Sequence, residues 1–126
     1  MPGTVLIVDD EQHIRLLIEQ TLEDLLDEGV ELYTAADGEE ALAAIEAQRP
    51  DLVFLDVMMP RRNGLEVCRA VRGELGLADT HIVLLTAKGQ AHDREEGLAA
   101  GANEYLTKPF DPDELLALAR SVLAPA

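Results

Sequence analysis

Residues 51–56, Asp51-Leu52-Val53-Phe54-Leu55-Asp56, place four consecutive apolar side chains between two carboxylates. A strand sends alternate side chains to opposite faces, so an unbroken apolar run of this length is buried on both sides, as inside a parallel sheet. Three other runs share its design. Thr4-Val5-Leu6-Ile7-Val8 leads into Asp9-Asp10, His81-Ile82-Val83-Leu84-Leu85 into Thr86-Ala87, and Glu104-Tyr105-Leu106-Thr107 into Lys108-Pro109. Each apolar stretch ends in a polar group at its carboxyl end. If the four runs are parallel strands of one sheet, those groups share one edge, where open α/β sheets bind their ligands.

Helical patterns separate the runs. Ile14, Leu17, Ile18, Leu22, Leu25 and Leu26 recur at helical spacing over Glu11–Leu26, with Gly29 as the stop. Val30–Ala35 is a more polar strand suited to an edge. Asp37-Gly38 is a turn, Glu39–Gln48 a helix, and Arg49-Pro50-Asp51 its break. Val57–Asn63, with Pro60, reads as a loop, and a helix runs from Gly64 to about Leu75. Lys88-Gly89 follows the fourth strand, a helix covers Ala91–Ala100, and Gly101 ends it. Asp111-Pro112-Asp113-Glu114 opens a last helix that runs to about Leu123 before Pro125, its acidic residues and proline suited to a helix N-terminus. This alternation predicts a flavodoxin-like, doubly wound α/β fold with five parallel strands and five helices. The first and third strands are the most apolar and belong at the centre, which gives the order 2-1-3-4-5 with Asp9, Asp10 and Asp56 at the point where the order reverses.

The chain has 126 residues, so the whole of 1–126 is expected to form one domain. Aromatic residues make up 3% and tryptophan is absent, so the core must be aliphatic. No apolar run is long enough to span a membrane, and the N-terminus lacks the features of a signal peptide. The one cysteine, Cys68, cannot form an internal disulfide and reads as a residue packed against the sheet, in keeping with a cytoplasmic location. A formal net charge of −15 opposes direct binding to nucleic acid or to an anionic membrane, and favours cations and basic partner surfaces.

The converging groups are three carboxylates, a hydroxyl and an ammonium. Together they suit phosphoryl transfer: a Mg²⁺ site, a carboxylate nucleophile and a counter-ion for phosphate. A single Asp would suffice to cap the following helix, so the adjacent pair Asp9-Asp10 favours a metal site. Asp56 opposite that pair adds repulsion that a cation would relieve. Lys108 reads either as a structural counter-ion or as a phosphate ligand, and its bond to Pro109 as either isomer. His13, His81 and His92 show no zinc-type spacing. Met58 and Met59 follow Asp56 directly and border the site. Two rivals share the topology. A phosphoester hydrolase typically needs a proton donor two residues after its nucleophile, where Met58 stands. A flavin carrier needs a phosphate loop after the first strand, where Asp9-Asp10 would repel phosphate.

The blocks LIVDDE, LVFLDVMMPRRNGLEVC, LLTAK and GANEYLTKPF, with their spacing, resemble the receiver domain of two-component response regulators over essentially the whole chain. The resemblance implies that Asp56 is the phosphoacceptor. It implies that Asp9, Asp10, Asp56 and the Met58 backbone carbonyl hold Mg²⁺, that Thr86 and Lys108 bind phosphoryl oxygens, and that Thr86 and Tyr105 form the switch. It further implies a histidine kinase or phosphotransfer protein as phosphodonor and a downstream effector or separate output domain as target. The domain would catalyse its own phosphorylation and dephosphorylation without being a conventional enzyme. The resemblance departs at Glu96 and Leu118, where the DNA-binding subfamily usually carries basic residues for a dimer, so a monomer or weak dimer is expected.

Overall fold

The computed structural model describes residues 3–59, 61–87 and 91–124. Pro60, Lys88, Gly89 and Pro125 lie outside them, as does the side chain of His92. Five strands, β1 (Gly3–Val8), β2 (Val30–Ala35), β3 (Leu52–Asp56), β4 (His81–Ala87) and β5 (Glu104–Lys108), form one parallel sheet in the order β2-β1-β3-β4-β5. This is the expected order. The helices are α1 (Gln12–Thr21), α2 (Glu23–Leu26), α3 (Gly38–Gln48), α4 (Gly64–Arg72), α5 (Ala91–Ala100) and α6 (Pro112–Leu123).

Among the described residues six helices stand where five were expected, because the first helical pattern is divided at Leu22. There the backbone has φ −95° and ψ 6°, outside the helical range. Leu22 and Leu25 are nevertheless fully buried, so the break leaves the apolar stripe facing the sheet. The helix after Asp56 also stops short of Leu75, at Arg72. Beyond it the chain wraps back, with Leu75 N–H donating to the Ala70 carbonyl and Leu77 N–H to that of Val71.

Each face of the sheet carries its own aliphatic core. Leu6, Val8, Val53, Leu55, Ile82 and Leu84 meet α3, α4 and α5 on one face, where Cys68 is buried. Val5, Ile7, Leu52, Phe54, Val83 and Leu85 meet α1, α2 and α6 on the other. Alternate residues of β1, β3 and β4 thus serve opposite cores, as the unbroken apolar runs require. The strand ends are left as the place for polar chemistry. At the β2 edge, the Tyr33 hydroxyl donates to Glu31 at 2.9 Å.

One arginine ties the far side together. Arg72, in the last turn of α4, donates from Nε to the Gly101 carbonyl (3.0 Å), from Nη1 to that of Leu77 (2.7 Å) and from Nη2 to Asn103 Oδ1 (2.8 Å). The same Asn103 oxygen accepts from Ile82 N–H, so α4, the α5–β5 turn and β4 share one polar node. Arg72→Ala leaves several acceptors without a donor and is expected to cost about 2–3 kcal/mol. Urea unfolding measures this, and a loss within experimental scatter would show the node to be dispensable.

Candidate phosphoryl-transfer site

β1 and β3 are neighbours in register, with Val8 opposite Leu55, so Asp9 and Asp56 follow side by side at the sheet edge. On the next strand Asp56 pairs with Leu85, which places Thr86 one step beyond; Ala87 in turn pairs with Lys108. The topology therefore brings Asp9, Asp10, Asp56, Thr86 and Lys108 to one end of the sheet.

Asp9 is fully buried. Its Oδ1 accepts from Glu11 N–H at 2.9 Å and its Oδ2 from Lys108 Nζ at 2.8 Å. The residue at the N-cap of α1 is Glu11, with no side-chain cap, so neither Asp9 nor Asp10 occupies the capping position. Asp56 is also buried, and both of its contacts fall on Oδ1: Lys108 Nζ at 3.4 Å and Met58 N–H at 3.4 Å. Among the described residues no donor reaches Oδ2.

One ligand atom from each of Asp9, Asp10 and Asp56 lies within 4.8 Å of the others. Lys108 offsets one of the three charges, which leaves an excess of negative charge in a largely buried place. The consequence appears at Asp56, where burial and then the field of Asp9 raise the pKa to about 7, against the lowering effect of Lys108 and the Met58 N–H. For Lys108, burial disfavours the charge. The hydrogen bond to Asp9 and the fields of Asp56 and Asp9 outweigh it and hold the ammonium's pKa above the ordinary lysine value. An all-oxygen cluster with uncompensated charge fits a hard divalent cation such as Mg²⁺, which binds through one or two carboxylates and keeps waters.

Thr86 is buried and follows Leu84 on the face covered by α3, α4 and α5. Tyr105 pairs in register with Leu84 and is half-buried against that same core, on the side of the sheet that Thr86 shares. Met58 is 62% exposed at the rim, as its place beside Asp56 predicts. The bond between Lys108 and Pro109 is cis.

Two contributors were not anticipated from the sequence. Arg15 Nη1 donates to the Asp9 backbone carbonyl at 2.6 Å, reaching back from the second turn of α1. Its signal was a single cation within the stripe Ile14, Leu17, Ile18. Asn63 and Glu66 form a reciprocal capping box that starts α4, and Asn-x-x-Glu ahead of an apolar run was legible as such.

The family model for the response regulator receiver domain matches residues 5–120. The probable transcriptional regulator ycf27 of Cyanophora paradoxa is 48% identical over 119 residues, which are 94% of this chain and 47% of that protein. The alkaline phosphatase synthesis transcriptional regulatory protein PhoP of Bacillus subtilis is 43% identical over 123 residues, 98% of this chain and 49% of that one. This chain thus spans about half the length of these relatives. Among solved structures, the chemotaxis response regulator CheY4 of Vibrio cholerae superposes with a TM-score of 0.85 at 41% identity, covering 98% of this chain and 100% of that one. No helix among the described residues is long and apolar enough to cross a membrane. The match over nearly the whole length, in sequence and in strand order alike, makes this chain a member of the response regulator receiver domains of two-component signalling.

Proposed function

We propose that the domain is a phospho-accepting switch with Asp56 as the acceptor. The observation that carries this reading is the asymmetry of the Asp56 carboxylate: Oδ1 is held by Lys108 and Met58, while Oδ2 faces no donor among the described residues. Oδ2 attacks the phosphorus of a phosphohistidine on a histidine kinase or phosphotransfer protein. The new O–P bond forms as the P–N bond breaks, and its electron pair stays with the departing imidazole. Little covalent help is needed, because positioning and charge neutralisation supply most of such catalysis. Asp9, Asp10, Asp56 and the Met58 carbonyl are the residues that would hold Mg²⁺, which when bound supplies positive charge to the transferring phosphoryl oxygens. Lys108 provides a second positive charge, and the Thr86 hydroxyl provides a hydrogen bond to the product.

The acyl phosphate adds charge and acceptor oxygens. Thr86 moves toward them, and Tyr105, on the same face, fills the space it vacates. The altered surface around α5, β5 and α6 is then read by a downstream effector or an attached output domain. Loss of the phosphoryl group to water resets the switch. Mg²⁺-dependent incorporation of one phosphate from acetyl phosphate, followed by intact mass, tests this reading; an unchanged mass would count against it.

The charge excess also predicts a thermal response. A cation that binds only the folded chain stabilises it by about 2.7 kcal/mol at a hundred times its dissociation constant. Asp10 is the exposed member of the acidic cluster and can be removed without opening a core cavity. Asp10→Ala is therefore expected to raise the melting temperature by a few degrees without Mg²⁺, and to lose most of the further rise that Mg²⁺ gives the wild type. A wild-type melt that ignores millimolar Mg²⁺ would contradict the metal site.

A further inference from the structure

Gly38 is the first residue of α3. A Cβ there would overlap the carbonyl oxygen of Arg62 and lie 2.8 Å from its carbonyl carbon. The N-terminal turn of α3 therefore rests directly on the backbone of the loop between β3 and α4. The same turn holds that loop by charge: Arg61 Nε lies 3.3 Å from Asp37 Oδ2, and Arg61 Nη1 lies 3.8 Å from Glu39 Oε2. Asp37 works with both oxygens, because its Oδ1 caps α3 by accepting from Glu40 N–H at 2.9 Å. Arg61 adopts φ 69°, a left-handed conformation that a side-chain-bearing residue keeps only when its surroundings impose it. At the other end the loop is closed by Gly64 N–H donating to the Val57 carbonyl at 2.9 Å. Between these two anchors lies Met58, whose N–H meets Asp56 Oδ1.

We infer that the N-terminal turn of α3 is the seat of the β3–α4 loop, with Gly38, Asp37 and Arg61 as positioning residues for the phosphoryl-transfer site. The inference rests on the function proposed above, since the loop matters through the Met58 backbone. The side chains of the seat need touch neither the metal nor the phosphate. They act by fixing where the loop backbone stands beside Asp56.

The signs of the expected effects separate this seat from a long-range field. Through its field alone, Arg61→Ala would strengthen Mg²⁺ binding and Asp37→Asn would weaken it, because one removes a positive and the other a negative charge. Loss of the seat weakens binding in both. Asn is as good a helix cap as Asp, so Asp37→Asn removes the ion pair and keeps α3.

The test is isothermal titration of the 126-residue chain with Mg²⁺, at about 0.15 M ionic strength to screen distant charge. Hydrogen exchange over residues 57–64 is followed in the Mg²⁺-free protein. Each single variant is expected to bind Mg²⁺ about two- to fivefold more weakly, the range of one exposed ion pair. The double variant should be no weaker than either single, and Arg61→Lys should recover part of the loss. Gly38→Ala should weaken binding about tenfold or more, since backbone must move. Helix propensity alone would make that same substitution stabilising. Exchange over 57–64 should quicken in all of these variants except Arg61→Lys. Arg61→Ala with wild-type or tighter Mg²⁺ binding and unchanged exchange overturns the seat. Wild-type protein that binds no Mg²⁺ would overturn the functional reading instead. The exchange measurement would then still decide whether the turn holds the loop.

Discussion

Asp56→Asn is expected to abolish phosphate incorporation from acetyl phosphate, from near one equivalent to none, while making the Mg²⁺-free domain more stable. The first effect follows because an amide is not a usable nucleophile. The second follows from linkage. The folded-state pKa of Asp56 stands at about 7 against an ordinary 3.8, so between those values the native state holds a proton that the unfolded chain has released. Stability therefore falls as pH rises through this window, and the cost of ionised Asp56 is complete above pH 7. An asparagine avoids it, with an expected gain on the order of 2–4 kcal/mol at pH 8 that shrinks toward zero near pH 4. Urea unfolding in EDTA at several pH values measures the gain, and intact mass reads the incorporation. A variant less stable than wild type at pH 8, or one that still takes up phosphate, would remove Asp56 from the role assigned to it.

Lys108→Met should have the opposite sign and comparable size. Lys108 Nζ is the cation on fully buried Asp9 and also lies 3.4 Å from Asp56. Removing one member of a buried charge pair leaves the other uncompensated, at a cost of about 3–5 kcal/mol where burial is complete. Lys108 is only partly buried, so the lower end of that range is expected at pH 8 without Mg²⁺. Two conditions should restore part of the loss: acidification toward pH 5, which lets Asp56 take up a proton, and saturating Mg²⁺, which takes over the neutralisation. Equal stability of variant and wild type at pH 8 in EDTA would mean that Lys108 is not the counter-ion of the pair.

The sheet order was legible because the first and third strands are the most apolar, and both stand in the interior of the sheet with a neighbour on each side. The acidic cluster was legible for a related reason: four of the five strands end in or lead into a candidate site residue, and parallel strands align their ends. What escaped notice involves backbone rather than pattern. The break at Leu22 keeps the apolar stripe in phase, so periodicity runs through it unmarked. Arg49 and Arg61 occupy left-handed conformations with no glycine or asparagine to announce them. Arg15, Arg61 and Arg72 are each positioned by partners that are distant or unpatterned in sequence. The hydrogen bond from Arg15 to the Asp9 carbonyl depends on where α1 leaves the sheet, and the Arg72 node depends on three separate segments meeting.

The Tyr33–Glu31 hydrogen bond has a practical consequence. With no tryptophan and two tyrosines, ultraviolet emission from this chain comes from Tyr33 and Tyr105. A carboxylate bonded to a phenol can accept its proton in the excited state, so Glu31 quenches emission from Tyr33. The second chromophore is Tyr105, on the face of the sheet that carries Thr86. The domain thus comes with its own optical label at the point where a change of state should be seen, and stopped-flow fluorescence can follow that change without an added dye.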